Sequence, residues 1–170
     1  MRFTPKWRKA VLTLHVITAV GWLGSDLVLL TLGVAGLSGA ADKDVAYPAM
    51  SLVGIALFVP LSYLVWVIGV VNAVGTPWGL LRWWWVAVKL TIVTVMLFLV
   101  TFLLYPGLAK AGDLGSALPR RDQINLVIAP SVSSTLLVIS TVLSTYKPWG
   151  RRSAPPAREA ARAVGSGSSR

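Results

Sequence analysis

Apolar residues run in four long stretches along this chain, and polar residues collect between and outside them. An α-helix needs about 20 predominantly apolar residues to cross the hydrocarbon core of a bilayer. The pattern predicts four such helices, over residues 5–37, 47–74, 83–105 and 126–146. Pro60 lies inside the second and should kink it, because proline removes a backbone hydrogen bond. We therefore predict an all-α protein whose residues 1–149 form a four-helix transmembrane bundle.

Composition agrees with a membrane protein. Hydrophobic residues make up 55% of the chain and charged residues 13%, with a mean hydropathy of +0.72, whereas a soluble domain carries about 25% charged residues. The chain has no cysteine, which excludes disulfides, thiol catalysis, iron–sulfur clusters and covalently attached haem. Residues 150–170 are rich in Arg, Ala, Pro, Ser and Gly, a composition that predicts a disordered basic tail.

Basic residues are unevenly divided between the two ends of the predicted helices. One end carries most of the 16 Lys and Arg residues: Arg2, Lys6, Arg8, Lys9, Arg82, Lys147, Arg151, Arg152, Arg158, Arg162 and Arg170. The other end has only Lys43, Lys110, Arg120 and Arg121. Since cytoplasmic loops carry the excess of positive charge, we predict a plasma-membrane protein with both termini cytoplasmic. The basic end is expected to contact anionic lipid headgroups, and we do not interpret it as a nucleic-acid surface.

Several polar residues interrupt the apolar pattern of the first helix. His15, Trp22 and Asp26 lie within about 40° of one another on one helical face, and Thr18 and Ser25 border it. Such a stripe should face the bundle interior rather than lipid. The fourth helix descends from the outer side, so its hydroxyl residues at the depth of Asp26 complete a predicted interior polar seam: Ser131, Ser134 and Thr135.

Two further groups are predicted at a common depth in the cytoplasmic half. Lys89 lies about 10 Å above Arg82, and His15 lies about 9 Å above Lys9. Lys89 and His15 could therefore face each other across the bundle. Alternatively, Lys89 snorkels to the headgroups, and His15 is a neutral structural residue.

The motif "LHVITAVGWLG" has the form L-H-x6-W-x-G, and "WWWVAVKL" places Lys89 early in the third helix. Together they resemble small bacterial membrane proteins of the copper-resistance D family and the four-helix membrane protoporphyrinogen oxidase family. The residue pattern of the chain as a whole is most similar to that of uncharacterised actinobacterial-type integral membrane proteins. The resemblance to the oxidase family implies that His15 and Lys89 serve haem binding or catalysis, and Trp22 and Gly24 match its first-helix pattern.

The residue inventory restricts cofactors. A single His, no Cys and three scattered Met residues are a poor set of ligands for copper, and we predict no metal site. A bis-His haem cannot form within one chain, so a haem would need His15 with Lys89 or Met96, an open position, or a second His15 from a homo-oligomer.

Three functions stay open at this point, and no catalytic residue is assigned. The first is a structural or interaction bundle with an interior polar seam. The second is a haem-linked or other redox protein that uses His15 and Lys89. The third is proton or small-solute handling through Asp26, His15 and Lys89.

Overall fold

The computed structural model describes residues 4–75 and 83–146. Four helices within these ranges are long and apolar enough to cross a membrane. We name them α1 (Pro5–Ser38), α2 (Lys43–Gly75), α3 (Trp84–Ala117) and α4 (Arg120–Tyr146). The predicted all-helical architecture is confirmed for these residues. The predicted tail, 150–170, lies outside the described residues.

Helices α2, α3 and α4 are longer than the pattern predicted at the end of the bundle where α1 ends. α2 begins at Lys43 rather than at residue 47, because the Asp42 carboxylate accepts a hydrogen bond from the Asp44 amide at 2.8 Å and caps the helix. α4 begins at Arg120 instead of residue 126. The first turns of α4 bury Gln123 and Leu126, so packing continues the helix into a segment whose polar residues indicated a loop.

The predicted end of the third helix at Pro106-Gly107 was also wrong. A π-helical turn, Val100–Leu104, precedes the proline, and an α-helical segment, Tyr105–Leu114, follows. A similar π-helical turn, Gly54–Phe58, precedes Pro60 in α2. Proline cannot donate a backbone hydrogen bond, and a π-helical turn is a common way for a helix to bend and continue. A widened turn therefore lies just before Pro60, where the sequence predicted a kink.

Neighbouring helices are antiparallel and pack in a consistent register. On α1, positions Gly36, Gly33 and Gly21 face α2 residues Tyr47, Met50 and Leu61 respectively. On α4, the Leu126 carbonyl lies 3.1 Å from the place a Cβ would occupy at Gly33. Small residues let membrane helices approach closely, and here they bring the C-terminal half of α1 against both neighbours.

The core between the four helices is built around large side chains. Trp22, Tyr47, Phe58 and Leu108 are completely buried. The Trp22 and Phe58 rings are 6.0 Å apart and tilted by 45°. Many apolar side chains on the outside of the bundle are exposed, among them Val20, Leu52, Phe98, Phe102 and Leu103. An exposed apolar surface of this extent suits a lipid environment.

Candidate functional site: two polar levels in the bundle

Asp26 lies at the centre of the bundle, between α1 and α4. Its side chain is completely buried, and its Oδ2 accepts a hydrogen bond from Ser134 Oγ at 2.9 Å. This contact agrees with the expectation that hydroxyl residues of α4 lie at the depth of Asp26. It joins two helices at a level where the lipid offers no hydrogen-bonding alternative.

Three polar atoms around Asp26 are buried and have no hydrogen-bond partner among the described residues. They are Asp26 Oδ1, Trp22 Nε1 and Ser133 Oγ. Ser133 lies beside the Asp26 carboxyl group, although its hydroxyl does not meet the geometry of a hydrogen bond. Trp22 precedes Asp26 by about one helical turn. The level of Asp26 thus contains a buried acceptor without a donor, Oδ1, and the neighbouring Ser133 hydroxyl.

The remaining members of the predicted seam make local contacts. Thr18 and Ser25 are buried but donate to backbone carbonyls of their own helix, at Leu14 and Trp22. Ser131 donates to the Val127 carbonyl of α4. These three hydroxyl groups lie along the seam without linking helices.

Thr135 does not belong to the interior. It is exposed and donates to the Ser131 carbonyl at 2.8 Å. A turn of 100° per residue separates it from Ser134, which is enough to move it from the Asp26 side of α4 toward the lipid.

His15 and Lys89 form a second polar level, nearer the end of the bundle at which α1 begins. Lys89 Nζ donates to Ser144 Oγ of α4 at 2.7 Å and is close enough to His15 for a Coulombic interaction. The His15 ring packs against α2, where its Cε1 lies 3.3 Å from the position of a Cβ at Gly69. His15 Nδ1 is buried without a partner. Lys89 thus faces α4, and the His15 ring faces α2.

The described residues do not fit a haem between His15 and Lys89. The histidine ring lies directly against the backbone at Gly69, and the lysine amine already donates to Ser144. Two grooves of the described surface lie elsewhere. One is at Pro48, Ser51 and Gly112, and the other is at Leu23, Leu27 and Ser134. No chemical step of this protein is therefore assigned to a haem.

Sequence reasoning missed the polar contacts between α2 and α3. Tyr63 and Thr101 share a hydrogen bond of 2.6 Å between their hydroxyl groups, and Trp66 Nε1 donates to Thr94 Oγ1 at 3.0 Å. A signal was present, since Thr94 and Thr101 are seven residues apart and lie on one face of their helix. Ser144 was also missed as the partner of Lys89, because nothing local distinguishes it from the other hydroxyl residues of α4.

No cluster of three or more His, Cys, Asp or Glu side chains occurs within residues 4–75 and 83–146. Comparisons with protein-family models, with curated proteins and with solved structures found no match to this chain.

Proposed function

We propose that this chain is a multi-pass protein of the plasma membrane with both termini in the cytoplasm, and that it serves as a structural or interaction bundle held in register by its interior polar groups. Hydrogen bonds between side chains connect α1 to α4, α3 to α4 and α2 to α3. In a bilayer such bonds specify which helices pair and at what register.

The observation that carries this proposal is the hydrogen bond between the completely buried Asp26 and the half-buried Ser134. A carboxyl group at this depth is costly unless it has a partner inside the protein. Ser134 provides that partner and lies 108 residues away in the sequence. The contact can form only when α1 and α4 pack side by side in this register.

A double-mutant cycle of Asp26→Leu and Ser134→Ala tests the structural role. We expect each single variant to lower the free energy of unfolding and the pair to show a coupling energy of about 1 kcal/mol, the usual size for a hydrogen bond between membrane helices. The measurement is unfolding by sodium dodecyl sulfate in mixed micelles, followed by circular dichroism.

Thr135→Val is the matched control for this cycle, because Thr135 bonds only to its own helix. It should leave stability nearly unchanged and show no coupling to Asp26→Leu. A coupling of zero between Asp26 and Ser134 would contradict the proposed role of their contact.

The proposed orientation is supported by the distribution of Lys and Arg along the full sequence. Eleven of them precede the first apolar stretch, lie between the second and third, or follow the fourth, whereas four lie between the first and second or between the third and fourth: Lys43, Lys110, Arg120 and Arg121. Because the chain has no native cysteine, single-cysteine labelling is free of background. In intact cells we expect a membrane-impermeant maleimide to label Ala40→Cys, and to label Thr4→Cys only after permeabilisation. The reverse pattern would refute this orientation.

Proton or small-solute handling is a second candidate, favoured by Asp26 Oδ1, which is buried and has no hydrogen-bond partner among the described residues. A packing contact alone does not require a buried carboxyl oxygen to be left open. The test is proton flux into proteoliposomes, with Asp26→Asn as the variant because amide and carboxyl groups have the same shape. Equal flux for the wild type and Asp26→Asn would eliminate this candidate.

A further inference from the structure

The cytoplasmic half of the described bundle contains a half-buried cation, Lys89, without a counter-ion among the described residues. No Asp or Glu occurs within residues 5–25, 59–75, 83–99 or 131–146, which make up this half. Lys89 is half-buried there, and its one hydrogen bond among the described residues goes to a neutral hydroxyl group, Ser144 Oγ. An ammonium group has three N–H donors, so two of those of Lys89 are available to a ligand.

Other polar atoms at this level also lack partners. His15 Nδ1 on α1 and Ser140 Oγ on α4 are buried and unbonded among the described residues. The Ser144 hydroxyl donates to the Ser140 backbone carbonyl at 3.1 Å, and its oxygen accepts from Lys89. Ser140 lies one helical turn from Ser144, and its hydroxyl has no partner among the described residues. A cation and two polar side chains without partners therefore lie toward the same end of three helices.

We propose that His15, Lys89 and Ser140 form a binding site for a phosphate anion, and that the phosphate belongs to the headgroup of an anionic phospholipid of the cytoplasmic leaflet. Phosphate oxygens accept several hydrogen bonds from ammonium and hydroxyl donors. A negatively charged ligand would also neutralise Lys89, which no described side chain does. Interhelical basic pockets on the cytoplasmic side of membrane proteins bind lipid headgroups in this manner.

The depth of the site favours a lipid over a solute. Lys89 follows Trp84, the first residue of α3, by five residues, or about 7.5 Å along the helix axis. Its side chain leans toward the start of the helix, which brings the ammonium group close to the headgroup layer. Trp84 is 47% exposed, as is usual for tryptophan at a membrane interface.

Native mass spectrometry of the full chain, released from nanodiscs of equimolar phosphatidylglycerol and phosphatidylcholine, tests the proposal. We expect the wild type to retain phosphatidylglycerol in preference to phosphatidylcholine. Lys89→Gln should reduce that preference by about fivefold, the effect of one basic residue near an anionic membrane surface. Lys89→Arg keeps the charge and should retain the preference, so it separates loss of the site from loss of the fold.

Lys9→Gln is the matched control, because Lys9 is an exposed basic residue at the same end of the bundle. It should change the lipid preference much less than Lys89→Gln. No preference in the wild type, or an equal effect of the two substitutions, would overturn the proposal. Inorganic phosphate can instead be tested in nanodiscs of phosphatidylcholine alone. Saturable binding there that depends on Lys89 would show that the ligand is a soluble anion and not a lipid.

This inference is independent of the Asp26 contact. The lipid preference is measured on Lys89 variants and the coupling energy on Asp26 and Ser134 variants. Failure of one experiment therefore leaves the other result intact.

Discussion

Trp22→Ala is expected to lower the free energy of unfolding by about 3 kcal/mol, within the range for removing a large aromatic side chain from a packed interior. Trp22 is completely buried and packs against Phe58 of α2. Lipid cannot fill a cavity that is closed on all sides by protein, so the dispersion contacts of the indole ring are lost without replacement. Unfolding in mixed micelles by sodium dodecyl sulfate measures the effect.

Two variants separate the causes of this loss. Trp7→Ala removes the same side chain from the same helix at a position that is 66% exposed, and we expect a change of less than about 0.5 kcal/mol. Trp22→Phe keeps an aromatic ring and removes the unpartnered N–H, so its cost should be well below that of Trp22→Ala. A similar loss for Trp7→Ala and Trp22→Ala would show that burial in the bundle is not the cause.

Gly54→Ala is expected to destabilise the bundle by about 2 kcal/mol through overpacking. Gly54 lies where α2 crosses α3, and a Cβ atom there would come within 2.5 Å of Leu108 Cδ1 and 2.9 Å of Leu108 Cδ2. Leu108 is itself completely buried and cannot move aside without displacing its neighbours. The helices must therefore separate at this crossing, which a melting experiment in detergent detects as a lower midpoint.

Gly24→Ala is the control for this substitution, because a Cβ at Gly24 would meet no atom within 4 Å. Alanine favours a helix over glycine by nearly 1 kcal/mol, so Gly24→Ala should leave stability unchanged or raise it. In the double variant of Gly54→Ala with Leu108→Ala, the added methyl group fills part of the space that leucine leaves. The double variant should therefore lose less stability than the two single variants lose in sum. Strict additivity of the two losses would argue against a steric clash between Gly54→Ala and Leu108.

The end of α3 and the start of α4 show why the local sequence pattern was insufficient to predict the helix boundaries. Residues 106–125 contain proline, glycine and charged residues, which locally favour a loop. They nevertheless form the end of α3 and the start of α4, because Leu108 and Ala111 pack against the bundle and a π-helical turn carries the helix past Pro106. Helix stability in this segment comes from tertiary packing, which intrinsic propensity does not contain.

The sequence by itself determined the number of apolar helices and the helical face that carries Trp22 and Asp26. It also predicted the shared depth of His15 and Lys89. These features depend on length, on a rotation of 100° per residue and on a rise of 1.5 Å per residue, all of which are local. The same geometry groups the polar residues into one stripe on their helix and indicates that this stripe faces the bundle interior.

Only the tertiary structure decided which atoms meet. Hydroxyl residues are frequent along α4, and the rotation of that helix about its axis selects Ser134 for Asp26 and Ser144 for Lys89 while it turns Thr135 toward the lipid. That rotation is set by the summed packing of all four helices, including the close approaches at Gly33 and Gly54. No single stretch of sequence holds this information, because side-chain contacts between helices depend on residues up to 108 positions apart.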